Sequence, residues 1–588
     1  MTPKIPLSDV DRAAHLLEQH GLMRLASSDT THLPPTARLR ALASVERSDL
    51  VTIFVYAAAI GLASLAVPAA AQALVNTVAF TSLLQPLIVL SVVVFLGLLA
   101  ASLLRVLQYR VVETLQQRFF VRVVYSATDA LRRADLQTAF RDHGARDLMN
   151  RFFDTFIVQK AAATLLMDGM SVLLQGGVSL LLLAFYHPAL LAFDVVLIAF
   201  ILFIVFGLGR GAVDTAIKES KAKHATAEWL EEMAGAIRTF KSPEGFLFGL
   251  ERSDSLAKLY VGYRKKHFAI LLRQVVAGYV LQAFATASLL GLGGYLVIRG
   301  QLSLGQLVAA ELIVTAVLSN VAKLGKYFES YYDLVASLDK LGHIVDVPAE
   351  PIREGRLSSS IDGSDLVVEN VQFSYDGRPV LRDVSFQVPL GKSLALLGRD
   401  ASGKSTLVDI LYGLRRPTDG RVRLDGVDLR VLSSETIRKR IAVVGRAEVF
   451  EGTVEENIRL GNHALDASAA CDLLRVVELE SEIARLPNGI VSHTGPSGAR
   501  LTSSQRARLS IARALARTPS ILIIDEALDS VGERTLARML SNIRTRYPTL
   551  AIVLATSRQD VAQYADVTVR LGDEGGTNMS TNEGHPAR

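Results

Sequence analysis

From Leu50 to Leu104 the chain carries no charged residue. One helix across a bilayer uses about 20 residues for roughly 30 Å of hydrocarbon, so this stretch is too long for a single crossing. Thr81-Ser82-Leu83-Leu84-Gln85-Pro86 supplies the turn residues at which it folds back, giving a helical hairpin with almost no loop on its far side. A second apolar block runs from about Leu165 to Gly209, with a turn at Tyr186-His187-Pro188, and a third from about Ala269 to Ala322, broken at Arg299-Gly300-Gln301. Three paired blocks predict six membrane spans. Half the residues are hydrophobic and 21% are charged, a balance that points to a membrane protein. At 588 residues the chain is also too long for one core, so at least two domains are expected.

Charge sets the orientation. The three far-side turns carry one charge, Arg299, whereas the segments Arg105 to Lys160 and Arg210 to Lys266 are rich in Arg and Lys. The positive-inside rule places those segments and both termini in the cytoplasm. The net charge of +5 is small for the length and the basic residues sit beside the apolar runs, so no nucleic-acid partner is expected; the lipid bilayer is the first partner. Cys471 is the sole cysteine, which excludes an internal disulfide. Met1 to Ser48 has no signal-peptide pattern, so insertion is expected to be driven by the internal helices.

The two cytoplasmic segments each exceed 50 residues and keep a helical pattern, as helices continuing out of the membrane would. Short amphipathic stretches, Asn150 to Asp154 and Ile237 to Lys241, lie near their midpoints. Composition shifts at Val347-Pro348-Ala349-Glu350-Pro351, and β-branched runs alternating with helix-period segments follow. The expected organisation is a cytoplasmic segment at 1–46, a transmembrane domain at 47–343, a linker at 344–365, an α/β domain at 366–572 and a disordered tail at 573–588. Four ionisable residues fall within the spans and each needs a partner or a task. Asp168 and Arg273 share a depth and are expected to pair or share a polar layer; Asp194 and Glu311 have no basic residue at their depth. Both carboxylates are read as facing a water-filled outward cavity or as partly protonated, with Glu311 lining the path of a cationic cargo as the sharper alternative.

Gly398-Arg399-Asp400-Ala401-Ser402-Gly403-Lys404-Ser405 fits G-x-x-x-x-G-K-[ST], after an apolar run at Leu394–Leu397 and before a helix opening at Thr406. The glycines let backbone amides wrap phosphates at the positive end of a helix. Lys404 is placed to reach the β- and γ-phosphates of ATP and the Ser405 hydroxyl to bind Mg²⁺. Downstream, Ile521-Leu522-Ile523-Ile524-Asp525-Glu526 reads as a buried strand ending in two carboxylates. Asp525 suits the Mg²⁺ shell and Glu526 the polarisation of an attacking water.

With these motifs in one chain, the sequence resembles an ABC exporter of the half-transporter kind from roughly Arg47 to Leu571. The resemblance implies an all-α six-helix transmembrane domain followed by an α/β P-loop cassette, working as a homodimer or as a heterodimer with a second half-transporter. It makes Tyr375 the aromatic that stacks on adenine, and places the signature motif at Leu501-Thr502-Ser503-Ser504-Gln505. It also makes the two amphipathic stretches coupling helices between cassette and membrane.

The sequence departs from the family at four places. Ser503 and Ser504 stand where two glycines are usual, and each added Cβ threatens close approach to a phosphate. The glutamine that senses Mg²⁺ falls on Gly445, with Arg446 beside it; the histidine at the γ-phosphate falls on Ser557; the aspartate after Glu526 falls on Gly532, with Asp529 near. The implied function is ATP-driven export across the bacterial inner (cytoplasmic) membrane by an ABC-type ATPase. The alternative is a nucleotide-binding, poorly hydrolysing half that regulates a complete partner. An importer is not expected, since importers usually keep membrane and ATPase domains on separate chains. The layout is similar to exporters that work beside a periplasmic adaptor, and the segment before the first helix is expected to be too short for a cargo-processing peptidase.

Overall fold

A computed structural model describes residues 34–78, 84–135, 149–321, 324–350, 365–375, 377–445, 448–462, 464–572 and 577–581. The chain divides into two compact units at Ala349/Glu350, inside the region read as a linker; most of that linker lies outside the described residues.

The first unit is helical: α1 (Pro35–Val45), α2 (Arg47–Ser64), α3 (Ala66–Val78), α4 (Leu84–Arg133), α5 (Asp154–Thr164), α6 (Met170–Tyr186), α7 (Pro188–Leu202), α8 (Ala212–Gly235), α9 (Pro243–Ile298), α10 (Leu304–Val321) and α11 (Leu324–Val345). Among the described residues, five helical stretches are long and apolar enough to cross a membrane: Arg47–Asn76, Leu87–Arg133, Arg151–Tyr186, Pro188–Gly235 and Pro243–Ile298. The sixth expected span falls on α10, whose apolar part, Leu304–Leu318, is shorter. At 50 and 56 residues, α4 and α9 extend for about 75 and 84 Å at 1.5 Å per residue, well beyond the hydrocarbon layer. The long polar segments are therefore continuations of membrane helices, as their pattern predicts.

Each observed far-side turn has a local cause. His187 caps α7, its Nδ1 accepting from the Ala189 amide at 3.1 Å, and Pro188 occupies the first helical position, where its missing N–H costs nothing. At the end of α9, Gly300 adopts φ +70; its amide bonds to Val297 and that of Gln301 to Leu296, the paired bonds of a Schellman stop. The first turn falls at 79–83, outside the described residues. Residues of α6, α7, α9 and α10 share one buried cluster, including Leu183, Leu190, Leu289, Ile313 and Leu318.

The intramembrane charges depart from expectation. Asp168 pairs with Lys326 Nζ at 3.2 Å, not with Arg273. Arg273 donates instead to the Leu208 carbonyl. Equal depth did not bring the two together, because another partner satisfies each: Lys326 for Asp168 and a main-chain carbonyl for Arg273. Asp194 is buried among protein groups, 3% exposed, with neither carboxylate oxygen hydrogen-bonded, so it does not face an open cavity. Glu311 Oε2 likewise has no hydrogen-bond partner.

The orientation has a direct test. In a Cys471→Ser background, a cysteine at Gln301 is expected to react with an impermeant thiol reagent added to intact cells, whereas one at exposed Ser255 is not. Gln301 is chosen over Gly300, whose positive φ strains any side chain. Labelling at Ser255 alone would reverse the topology.

The second unit is α/β. Its strands are β1 (Leu366–Tyr375), β2 (Arg378–Val388), β3 (Ser393–Leu397), β4 (Asp419–Leu424), β5 (Val427–Asp428), β6 (Ile441–Val444), β7 (Ile521–Asp525), β8 (Ala551–Thr556), β9 (Val567–Leu571) and β10 (Thr577–Thr581). They form an antiparallel sheet β2-β1-β4-β5 and a six-stranded sheet β10-β9-β3-β8-β7-β6, parallel from β9 to β6. β7 and β8 are buried on both faces, which explains their unbroken Ile/Leu/Val/Ala runs. β10 lies in the stretch read as a disordered tail. Thr577–Thr581 instead pairs antiparallel with Val567–Leu571, because an edge strand needs main-chain partners rather than an apolar composition.

Candidate functional site: a phosphate loop with two carboxylates

β3 ends at Leu397, and the chain turns through Gly398–Gly403 into helix α12 (Lys404–Leu411). The Gly398 amide donates to Thr556 O at 3.3 Å, pinning the start of the loop to β8. Gly403 has φ +90, and a Cβ there would meet Leu381 Cδ2 at 2.8 Å, so glycine is required on both counts. Ala401 also sits in the left-handed region, at φ +64. Lys404 is 3% exposed; its Nζ donates to the carbonyls of Gly398 and Arg399, both at 2.9 Å, and lies 3.5 Å from Glu526 Oε1.

Because β3, β8 and β7 are parallel neighbours, their C-terminal ends converge, bringing Asp525 and Glu526 to the loop from more than 100 residues away. The Asp525 carboxylate accepts from the Ser405 hydroxyl, and its burial pushes its pKa above the usual carboxylate value. Asp525 Oδ1 and Ser402 Oγ are buried without a hydrogen-bond partner. A buried polar atom left unsatisfied costs about 1–3 kcal/mol. Here both open valences border a loop whose glycines leave room for oxyanions, a donor set that fits a nucleotide polyphosphate and a hard cation such as Mg²⁺. Glu526 has φ +56, an unusual conformation for glutamate, held by its amide bond to Ala555 O at 2.9 Å.

Tyr375, at the end of β1, joins this group: its hydroxyl is 3.4 Å from Thr406 Oγ1. The Arg415 guanidinium lies over the Tyr375 ring at 5.1 Å, fixed by Asp409 at 2.7 Å. Asp400 lies in the turn of the loop.

The signature residues stand at the start of another helix, α13 (Ser503–Leu515). Thr502 and Gln505 form a capping box: Thr502 Oγ1 accepts from the Gln505 amide at 3.2 Å, and Gln505 Oε1 accepts from the Thr502 amide at 2.8 Å. Gln505 Nε2 donates to Glu482 at 2.8 Å, and Ser503 Oγ accepts from Arg506 at 3.2 Å. These bonds stay on α13 and its neighbour, so the signature is preformed but is not drawn into the loop. Ser557 is exposed directly after β8. A Cβ at Gly445 or Gly532 would meet nothing within 4 Å; Arg446 lies outside the described residues.

Two further groups join the site. Asp529 accepts from the Thr556 hydroxyl at 2.9 Å, and Arg558 donates to the Asp529 carbonyl at 2.8 Å while paired with Asp560. Burial raises the Asp529 pKa, with the Glu526 charge adding to it. No sequence motif marks Thr556 or Arg415; both enter through strand and turn placement.

A helical unit with apolar helices of membrane-spanning length and an α/β unit carrying the phosphate loop stand in one polypeptide, an arrangement similar to that of ABC exporters. Residues 381–529 match the family described as "ABC transporter". The ABC multidrug transporter mdr2 of Aspergillus fumigatus is 27% identical over 80% of this chain and 59% of its own length. The mycobactin import ATP-binding/permease protein IrtB of Mycolicibacterium smegmatis is 30% identical over 50% of this chain and 52% of its own length. The chain thus spans about half the length of the curated relatives it matches. A solved bacterial Atm1-family ABC exporter with ATP bound superposes with a TM-score of 0.81, at 20% identity, covering 92% of this chain and 96% of that one. The fold is of this exporter type.

Proposed function

We propose that the chain is one half of a dimeric exporter that hydrolyses ATP to move a substrate out across a cellular membrane, the bacterial inner membrane being the expected one. The observation that carries this reading is Glu526 held at Lys404, 3.5 Å away, beside Asp525 with its open oxygen. In this reading Lys404 binds the β- and γ-phosphates, the loop amides from Gly398 to Thr406 wrap them, and Tyr375 stacks on the base. Ser405 and Asp525 would hold Mg²⁺, which supplies neutralisation of the phosphate charge. Glu526 orients and deprotonates the water. Thr502–Gln505 of a partner chain would close each site, since the α13 cap presents free amides of a helix N-terminus. The short 3₁₀ turns Arg151–Phe153 and Thr239–Lys241, within the two amphipathic stretches, would serve as coupling elements.

The second reading, a regulatory half that hydrolyses poorly, is favoured by the vacant position at Gly445 and by Ser557 in place of an imidazole. One substitution separates the two. Gly445→Gln finds open space for its side chain and is expected to raise the ATPase turnover of the full chain in proteoliposomes several-fold without changing ATP affinity. No measurable turnover in either protein would move the assignment to the regulatory half.

A further inference from the structure

In the membrane unit, α8 and α11 face each other across a cavity of about 310 Å³. Its lining is charged: Arg151, Lys221, His224, His343 and Lys340 against Glu228 and Asp339. Lys340 is the deepest of these, 6% exposed. Its Nζ donates to the Ser220 carbonyl at 3.2 Å and lies 2.6 Å from His224 Nδ1.

The nearest carboxylate oxygen in an ion pair with it, Asp154 Oδ2, is 3.8 Å away and is already 3.0 Å from His224 Nε2. The other oxygen of Asp154 accepts from Ser337 at 3.2 Å. Burial lowers the Lys340 pKa to about 8, with Asp154 and Asp339 opposing that shift and Lys223 and Arg151 reinforcing it. Burying an ammonium is costly, and its carboxylate partner at 3.8 Å is shared with His224; an oxyanion within the cavity would offset part of that cost through charge-assisted hydrogen bonds. Arg151 and exposed Lys221 add positive charge along its wall.

We propose that this cavity binds a small soluble organic anion, a polycarboxylate or a phosphate ester, through Lys340 with Arg151 and Lys221. The site goes beyond the nucleotide reading and does not depend on it.

The test uses the full chain carrying Lys404→Ala, to silence the phosphate loop, in phosphatidylcholine nanodiscs at pH 7. Citrate and pyrophosphate are titrated calorimetrically. At least one is expected to bind saturably, once per chain. Lys340→Met is expected to weaken that binding at least tenfold, and Lys221→Gln several-fold if Lys340→Met does not fold. Lys258→Met, at an exposed lysine paired with Asp254, should leave it unchanged. Saturable binding by neither probe, or equal binding after loss of Lys340 or Lys221, overturns the proposal. Repeating the titration with one third phosphatidylglycerol separates the sources of the anion. Unchanged affinity supports a soluble ligand, and loss of probe binding assigns the cavity to a lipid phosphate and overturns the soluble assignment.

Discussion

Full-length chain carrying Lys404→Ala is expected to lose Mg-ATP binding, by about 10² to 10⁴ in affinity. Lys404 is the one ammonium buried inside the loop, and it satisfies its donors on two carbonyls and a carboxylate at the loop's edge. A polyphosphate would accept from the same donors. Two such charge-assisted bonds at about 1.5–3 kcal/mol each amount to roughly 3–6 kcal/mol, which sets the expected range. Alanine would also leave the Gly398 and Arg399 carbonyls turned inward with no donor, repelling phosphate oxygens. Titration of a fluorescent ATP analogue into detergent-solubilised chain reads the effect. Affinity within threefold of the wild type would mean that Lys404 does not contact the phosphates, and the nucleotide site would have to be placed elsewhere.

The phosphate loop was legible in the sequence because its chemistry is local: two glycines, a lysine and a serine must be adjacent for the backbone to wrap an anion. The carboxylates after β7 were legible for a different reason, since a strand buried on both faces reads as a continuous apolar run and its end is conspicuous. What could not be read was decided by packing between distant elements. Thr556 reaches Asp529 only because β8 lies beside β7, and Arg415 covers Tyr375 only because a turn after α12 returns to β1. In the membrane unit, apolar runs carried the helices and the two described turns, but not side-chain pairing. Depth along a helix says nothing about azimuth, so Asp168 went to Lys326 and Arg273 to a backbone carbonyl. Asp154, His224 and Lys340 come from three helices, and no periodicity in any one of them announces the cluster.

Replacing Glu526 by glutamine is expected to abolish turnover while leaving ATP bound, the opposite division from Lys404→Ala. Glutamine keeps the size and hydrogen-bonding reach of the side chain, so the left-handed backbone at φ +56 and the amide bond to Ala555 need not change. It cannot take a proton from water at neutral pH. Positioned general bases contribute about 10² to 10⁴ to rate, and turnover in proteoliposomes should fall by at least a hundredfold. Affinity moves the other way or not at all, because a carboxylate 3.5 Å from Lys404 competes with the γ-phosphate for the same ammonium and repels it. With ATP bound and uncleaved, the sandwich between two chains should persist, so the lifetime of the closed dimer, read by cross-linking or single-molecule distance, should lengthen. Both readouts are needed. A drop in turnover together with lost binding would make Glu526 a structural support for the loop. Wild-type turnover no greater than that of Glu526→Gln would remove the enzyme reading and leave this chain as the nucleotide-binding half of a pair whose catalysis lies in its partner.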